Sequence, residues 1–240
     1  MHPAATNTVE AFLGAVDKAD PGSYSAVLYG SAARGDYVAE RSDINMLLVF
    51  ERLEPALLRR LAPAFESWPR KTASAPLLVT AAEWRRASDV FPLEITDMRT
   101  AYEVLRGTDP LAGLSVRPSE LRHALETELR GKLLRLRQAY VATDGNTDAL
   151  GELGVASVPT VLVLVRGMLS LAGRPIPEAA ADVVTAGAAL AGFDAEPMLV
   201  PLAHRRDRSW RWKPDEFERY LSAVERAAAY VDNLQTGDLG

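Results

Sequence analysis

Two strand-like runs, residues 26–29 and 44–50, bracket a polar loop carrying Gly30, Ser31 and Gly35, and this arrangement most constrains the fold. Short apolar runs bounded by small and polar residues read as buried strands. Ahead of them, residues 6–19 place Val9, Phe12, Leu13 and Val16 on one helical face. Asn7 with Glu10 gives that helix a capping-box pattern, and Asp20-Pro21-Gly22 stops it. After the second strand, residues 54–67 return to helical spacing with Leu57, Leu58, Leu61 and Phe65, and Pro69 ends the run. Residues 77–80 and 93–98 read as further strands, separated by a short helix containing Trp84. Strand, loop, strand, helix, strand, strand is an α/β (α+β) order that predicts a mixed sheet.

The pattern changes after Gly107-Thr108-Asp109-Pro110. Beyond Pro118 almost everything reads as helix. Ser119 can cap a helix over 119–142, and Asp144-Gly145-Asn146 supplies a turn. Further helices are expected over 147–153, 158–172, 177–191 and 214–235, with Pro159, Pro177 and Pro214 in first-turn positions. Residues 161–165 have strand propensity, but the apolar pattern runs on through Met168 and Leu171, which favours a buried helix. The expected organisation is an α/β domain over 1–112 and an all-α domain over 113–240.

Composition removes several chemistries. There is no cysteine, so disulfides, thiolate metal sites and a cysteine nucleophile are excluded. The three histidines, His2, His123 and His204, have no zinc spacing. Net charge is −5, and it is spread evenly: residues 1–115 hold 12 Lys/Arg against 15 Asp/Glu, residues 116–240 hold 15 against 17. No basic field is available for long nucleic acid. The longest apolar run, 161–165, is too short to cross a bilayer, and the first residues lack the pattern of a signal peptide. A cytoplasmic protein with no membrane partner is expected.

The chemistry concentrates in residues 28–50, LYGSAARGDYVAERSDINMLLVF. Asp43 and Asn45 are two apart, so a strand points both to one face. This segment resembles the signature of the polymerase-beta nucleotidyltransferase superfamily: an apolar residue, Gly-Ser, a loop, then Asp-x-Asp or Asp-x-Glu before an apolar strand. The resemblance implies that Gly30 and Ser31 hold the phosphates of an NTP, ATP first among them, Gly30 by allowing close backbone approach and Ser31 by hydrogen bonding. A helix starting after Gly30-Ser31 would aim free amides at the same anion. It implies Mg²⁺ or Mn²⁺ held by Asp43, by the residue at 45 and by a third carboxylate. Residues 91–96, FPLEIT, are similar to a stretch of the streptomycin/spectinomycin adenylyltransferases. By that likeness Glu94 is the general base for the acceptor hydroxyl, or the third ligand. Asp97 competes with it, but three residues along a strand it would face the other side. An appended helical domain also matches those enzymes, and the acceptor would be a small molecule or a protein.

Asn45 departs from the signature. It offers one neutral carbonyl oxygen and an amide that repels a cation, where a bridging carboxylate is expected. Three alternatives stay open: a relic that binds without catalysis, a weak enzyme, or a substituted catalytic residue. Arg34 either contacts phosphate or pairs with Asp36, and Tyr37 either stacks a base or packs on the domain. In residues 128–137, Lys132 is the best cation for a triphosphate, against a solvated basic face as the plain alternative. The run 204–213, HRRDRSWRWK, either stacks a base or turns its tryptophans inward.

Overall fold

The computed structural model describes residues 1–35, 37, 43–68, 74–207 and 209–234, in two compact units, Met1–Val116 and Arg117–Gly240. The first unit holds a four-stranded sheet of β1 (Tyr24–Tyr29), β2 (Asn45–Phe50), β3 (Leu77–Thr80) and β4 (Tyr102–Arg106). Its strand order is β3-β2-β1-β4. β1 runs antiparallel to β2 and β4, and β2 runs parallel to β3, so the sheet is mixed.

Period-two alternation sorts the side chains. Ala26, Leu28, Met46, Leu48 and Phe50 point to one face, under α1 (Pro3–Lys18) and α3 (Pro55–Ser67). Val27, Leu47 and Val49 point to the other, where α4 (Ala81–Trp84) and α5 (Pro92–Met98) bring Trp84, Ile95 and Met98. α1 begins at Pro3, so Asn7 lies inside it and caps nothing. The chain leaves α1 through left-handed Asp20 and Gly22, with φ of 48° and 72°. Pro55 opens α3, and the Pro69 expected to end it lies outside the described residues. Thr80 and Glu83 form a reciprocal capping box at α4.

One expected strand is a helix. Residues 93–98 carry β-branched Ile95 and Thr96, yet Pro92 sits at the first helical position and Ile95 and Met98 are buried three residues apart. Burial of that helical face outweighs propensity. The fourth strand is instead β4, whose half-exposed pattern gave little periodic signal.

The second unit consists of α6 (Pro118–Thr143), α7 (Thr147–Leu171), α8 (Ala180–Ala191), α9 (Glu196–Ala203) and α10 (Pro214–Asn233). Arg117, not Ser119, is the N-cap of α6, with Glu120 reaching back to it. Asn146 caps α7 by accepting from the amides of Asp148 and Ala149, both at 3.0 Å. α7 is continuous through Pro159, where two helices were expected. Gly151 and Gly154 let it pack closely on residues 210–212. Added Cβ atoms would lie 2.3 Å from the Trp210 carbonyl at Gly151 and 2.5 Å from the Trp212 ring at Gly154. Close packing there offsets the hydrogen bond that Pro159 removes. Pro177 precedes α8 rather than starting it, and α9 was not anticipated. By length and hydropathy α7 could cross a bilayer, but 67% of its most apolar window is buried within the protein, as in the central helix of a bundle.

Candidate functional site

The candidate site lies at the strand ends of the first unit. Tyr29 closes β1 opposite Asn45 on β2 and Tyr102 on β4. Gly30 follows with φ 74° and ψ −147°, a combination that only glycine adopts without strain. Its amide donates to Ala101 O at 3.2 Å, and its carbonyl accepts from Ala33 and Arg34 at 3.1 and 2.9 Å. α2 (Ser31–Arg34) is a single turn, ended by left-handed Gly35. A helix does start at Ser31, beside Gly30, but it is one turn and adds little dipole. Ser31 is half-buried, and among the described residues its hydroxyl has no hydrogen-bond partner.

Asn45 falls on the sheet face of Leu47 and Val49. A Cβ built on Gly30 would stand 3.1 Å from Asn45 Nδ2, so the amide lies directly over the bare glycine. Asp43, two residues earlier and exposed, accepts from Ser74 Oγ at 3.1 Å. Ser42 lies outside the described residues, as does Asp36, the alternative partner of Arg34. Arg34 Nη1 donates to Thr100 Oγ1 at 2.7 Å, and Thr100 Oγ1 donates to Asp97 O at 2.7 Å. Arg34 thus ties the turn to the end of α5. Tyr37 packs: it is buried and its ring stands 5.5 Å from that of His2. Burial, then the charge of Asp43, raises its phenol pKa.

Glu94 and Asp97 are placed by a helix, which changes their relation. Residues three apart on a helix share a face, so the strand argument that separated them fails. Glu94 is exposed in the first turn, and Asp97 is buried. Both act on Tyr29, whose phenol pKa is pushed up first by burial, then by Glu94, then by Asp97. Tyr29 is the site residue that sequence reasoning passed over. Its place just before Gly30, at the end of an apolar strand, was the available signal.

Among the described residues, no three His, Asp or Glu side chains converge to hold a metal ion. Among the described residues, the start of β2 contributes one carboxylate, Asp43, and one neutral amide, Asn45. This donor set does not fit a two-metal centre.

Lys132 belongs to the second unit, on α6, where burial and then Arg135 lower its amine to about 8. Its arginine neighbours form a surface network: Arg130 with Asp232 at 2.9 Å, Arg137 with Glu225 at 2.8 Å, Arg135 with Glu128 at 3.7 Å. In the run 204–213, Trp212 is 1% exposed and Trp210 stacks on His204 with centroids 4.7 Å apart. Trp212 turns inward and Trp210 is half-buried, while Arg208 lies outside the described residues.

No protein-family model and no curated protein matches the sequence. Among solved structures, the spectinomycin adenyltransferase AAD(9) from Enterococcus faecialis, with ATP and spectinomycin, aligns with 95% of this chain and 99% of that chain. The TM-score is 0.59 and the sequence identity 11%. The fold is nucleotidyltransferase-like. At that identity the likeness is one of architecture: a mixed sheet with helices, followed by a helical region.

Proposed function

We propose that the chain binds a nucleoside triphosphate, ATP first, at the Gly30–Ser31 turn, and that its transfer of a nucleotidyl group to a hydroxyl of a small molecule or protein is impaired. One observation carries the reading: Gly30 holds a glycine-only conformation with no side chain on it, and the Asn45 amide faces it. A polyphosphate needs such close backbone approach. The structural neighbour, solved with ATP and spectinomycin, supports a nucleotide and a small-molecule acceptor as the ligands to try.

Impairment follows from the charges. With Asn45 in place of a carboxylate, the site would hold a divalent cation less tightly, and such a cation would balance the negative charge that develops in nucleotidyl transfer. Glu94 and Asp97 are both in contention for taking the acceptor's proton, since α5 gives them a common side.

The test measures pyrophosphate release with Mg²⁺ or Mn²⁺ across an acceptor panel that includes aminoglycosides, together with ATP affinity by calorimetry. The native chain should bind ATP and release little pyrophosphate. Asn45→Asp is nearly isosteric and should raise release by about a thousandfold. Glu94→Gln in that background should remove the gain. Ser31→Leu should weaken ATP binding. Fast release by the native chain defeats the impairment. If Asn45→Asp gains nothing while ATP still binds, the chain is a nucleotide-binding protein with a degenerate site, a reading favoured by the lack of a converging acidic cluster among the described residues.

A further inference from the structure

The misfit at the strand ends has a positive side. Asn45 is half-buried, and among the described residues its amide has no hydrogen-bond partner. That amide is turned to Gly30, with Nδ2 3.1 Å from where a Cβ would stand. The Ser31 hydroxyl, one residue on, is also unpaired among the described residues. Two neutral donor groups therefore flank one bare glycine. Neutral donors serve an anion directly, whereas a carboxylate at 45 would repel it unless a cation stood between them.

Resting on the nucleotide reading above, we infer that Asn45 is a phosphate donor and not a metal ligand, so that the turn takes the polyphosphate of a nucleotide without a divalent ion. Asp43 is exposed, so water screens its field, and it accepts from Ser74 Oγ at 3.1 Å. Glu94 and Asp97 raise the pKa of the Tyr29 phenol, and Tyr29 is the strand partner of Asn45, so a further carboxylate at 45 would add to negative charge already near the turn. Replacing a carboxylate by Asn45 removes the charge closest to Gly30 and adds a donor in the same volume.

Calorimetry with ATP, in EDTA and in Mg²⁺, decides the matter on the native protein, Asn45→Asp and Asn45→Ala. The native Kd should agree between the two conditions within about threefold. Asn45→Asp should weaken metal-free ATP by about tenfold or more through like-charge repulsion, and Mg²⁺ should recover the loss. Asn45→Ala, which deletes the donor without adding charge, should lose about threefold to tenfold in EDTA. Native binding that requires Mg²⁺ overturns the inference and leaves the nucleotide reading intact. So does an Asn45→Asp protein that binds ATP in EDTA as well as the native one. Native protein that binds ATP in neither condition overturns both.

Discussion

The two faces of the sheet are covered unequally. Beneath α1 and α3 lies a layer of 18 buried residues among those described, from Ala5 to Trp68. Across the sheet, the layer under α4 and α5 has 8, and its helices are four and seven residues long. The residues with chemistry gather on the thin side: Tyr29, Asn45, Glu94 and Asp97. A thick apolar layer penalises any polar group without a partner. Short helices leave Asn45 half-buried and Glu94 exposed, so water can meet both. The thick face holds the fold, and the proposed function places the ligand on the thin face.

Adjacent leucines on β2 test that division with the largest effects. Leu48 points into the thick layer and Leu47 into the thin one, and both are 0% exposed. Leu48→Ala should cost about 3–4 kcal/mol, with Leu47→Ala about 1 kcal/mol milder, because short helices relax further into a cavity. Thermal and urea unfolding of the two variants give the comparison. Equal losses would show that the thin layer is packed as rigidly as the thick one.

Gly30→Ala comes next. The substitution forces a Cβ into left-handed backbone and against Asn45 Nδ2. It should cost about 1–2 kcal/mol of stability. ATP affinity should fall at least about tenfold, since the methyl occupies the phosphate's approach. A stable Gly30→Ala protein with native ATP affinity would remove the turn from the binding surface.

How legible the molecule is in its sequence follows the same division. The thick-face elements showed plainly, because Val9, Phe12, Leu13 and Val16 keep a helical period and residues 46–50 are apolar throughout. The shared face of Asp43 and Asn45 needed only strand alternation. The thin face was harder to read. Residues 93–98 alternate well enough for a strand, and only packing of Ile95 and Met98 beneath Pro92 makes them α5. That error separated Glu94 from Asp97 and hid their common relation to Tyr29. β4 escaped because an edge strand with Tyr102 and Glu103 exposed shows no apolar run. The one-turn length of α2 and the amide over Gly30 are tertiary facts that no spacing encodes.

The smallest expected effect is a titration, and it tests whether α5 turns its acids toward the strand end. Tyr29 is raised by burial, Glu94 and Asp97, whereas Tyr24, associated with the thick layer, is raised by burial and by its bond to Asp17. Glu94→Gln removes one of the two carboxylates acting on Tyr29, so the Tyr29 phenol should ionise at lower pH than in the native chain. Tyr24 should not move. Side-chain NMR of labelled tyrosines, assigned with Tyr29→Phe, reads both at once. Stability should follow with a fixed sign. A phenol whose folded pKa is raised keeps a proton that the unfolded chain releases near pH 10, so its contribution is present below about pH 10 and is lost as pH climbs. Glu94→Gln narrows the gap between folded and unfolded pKa, so stability should decline less steeply with pH above about 10 than in the native protein. An unchanged Tyr29 titration in Glu94→Gln would mean that Glu94 points to water. The thin face would then lose one of the two carboxylates proposed to serve the acceptor, leaving buried Asp97 alone beside the phenol.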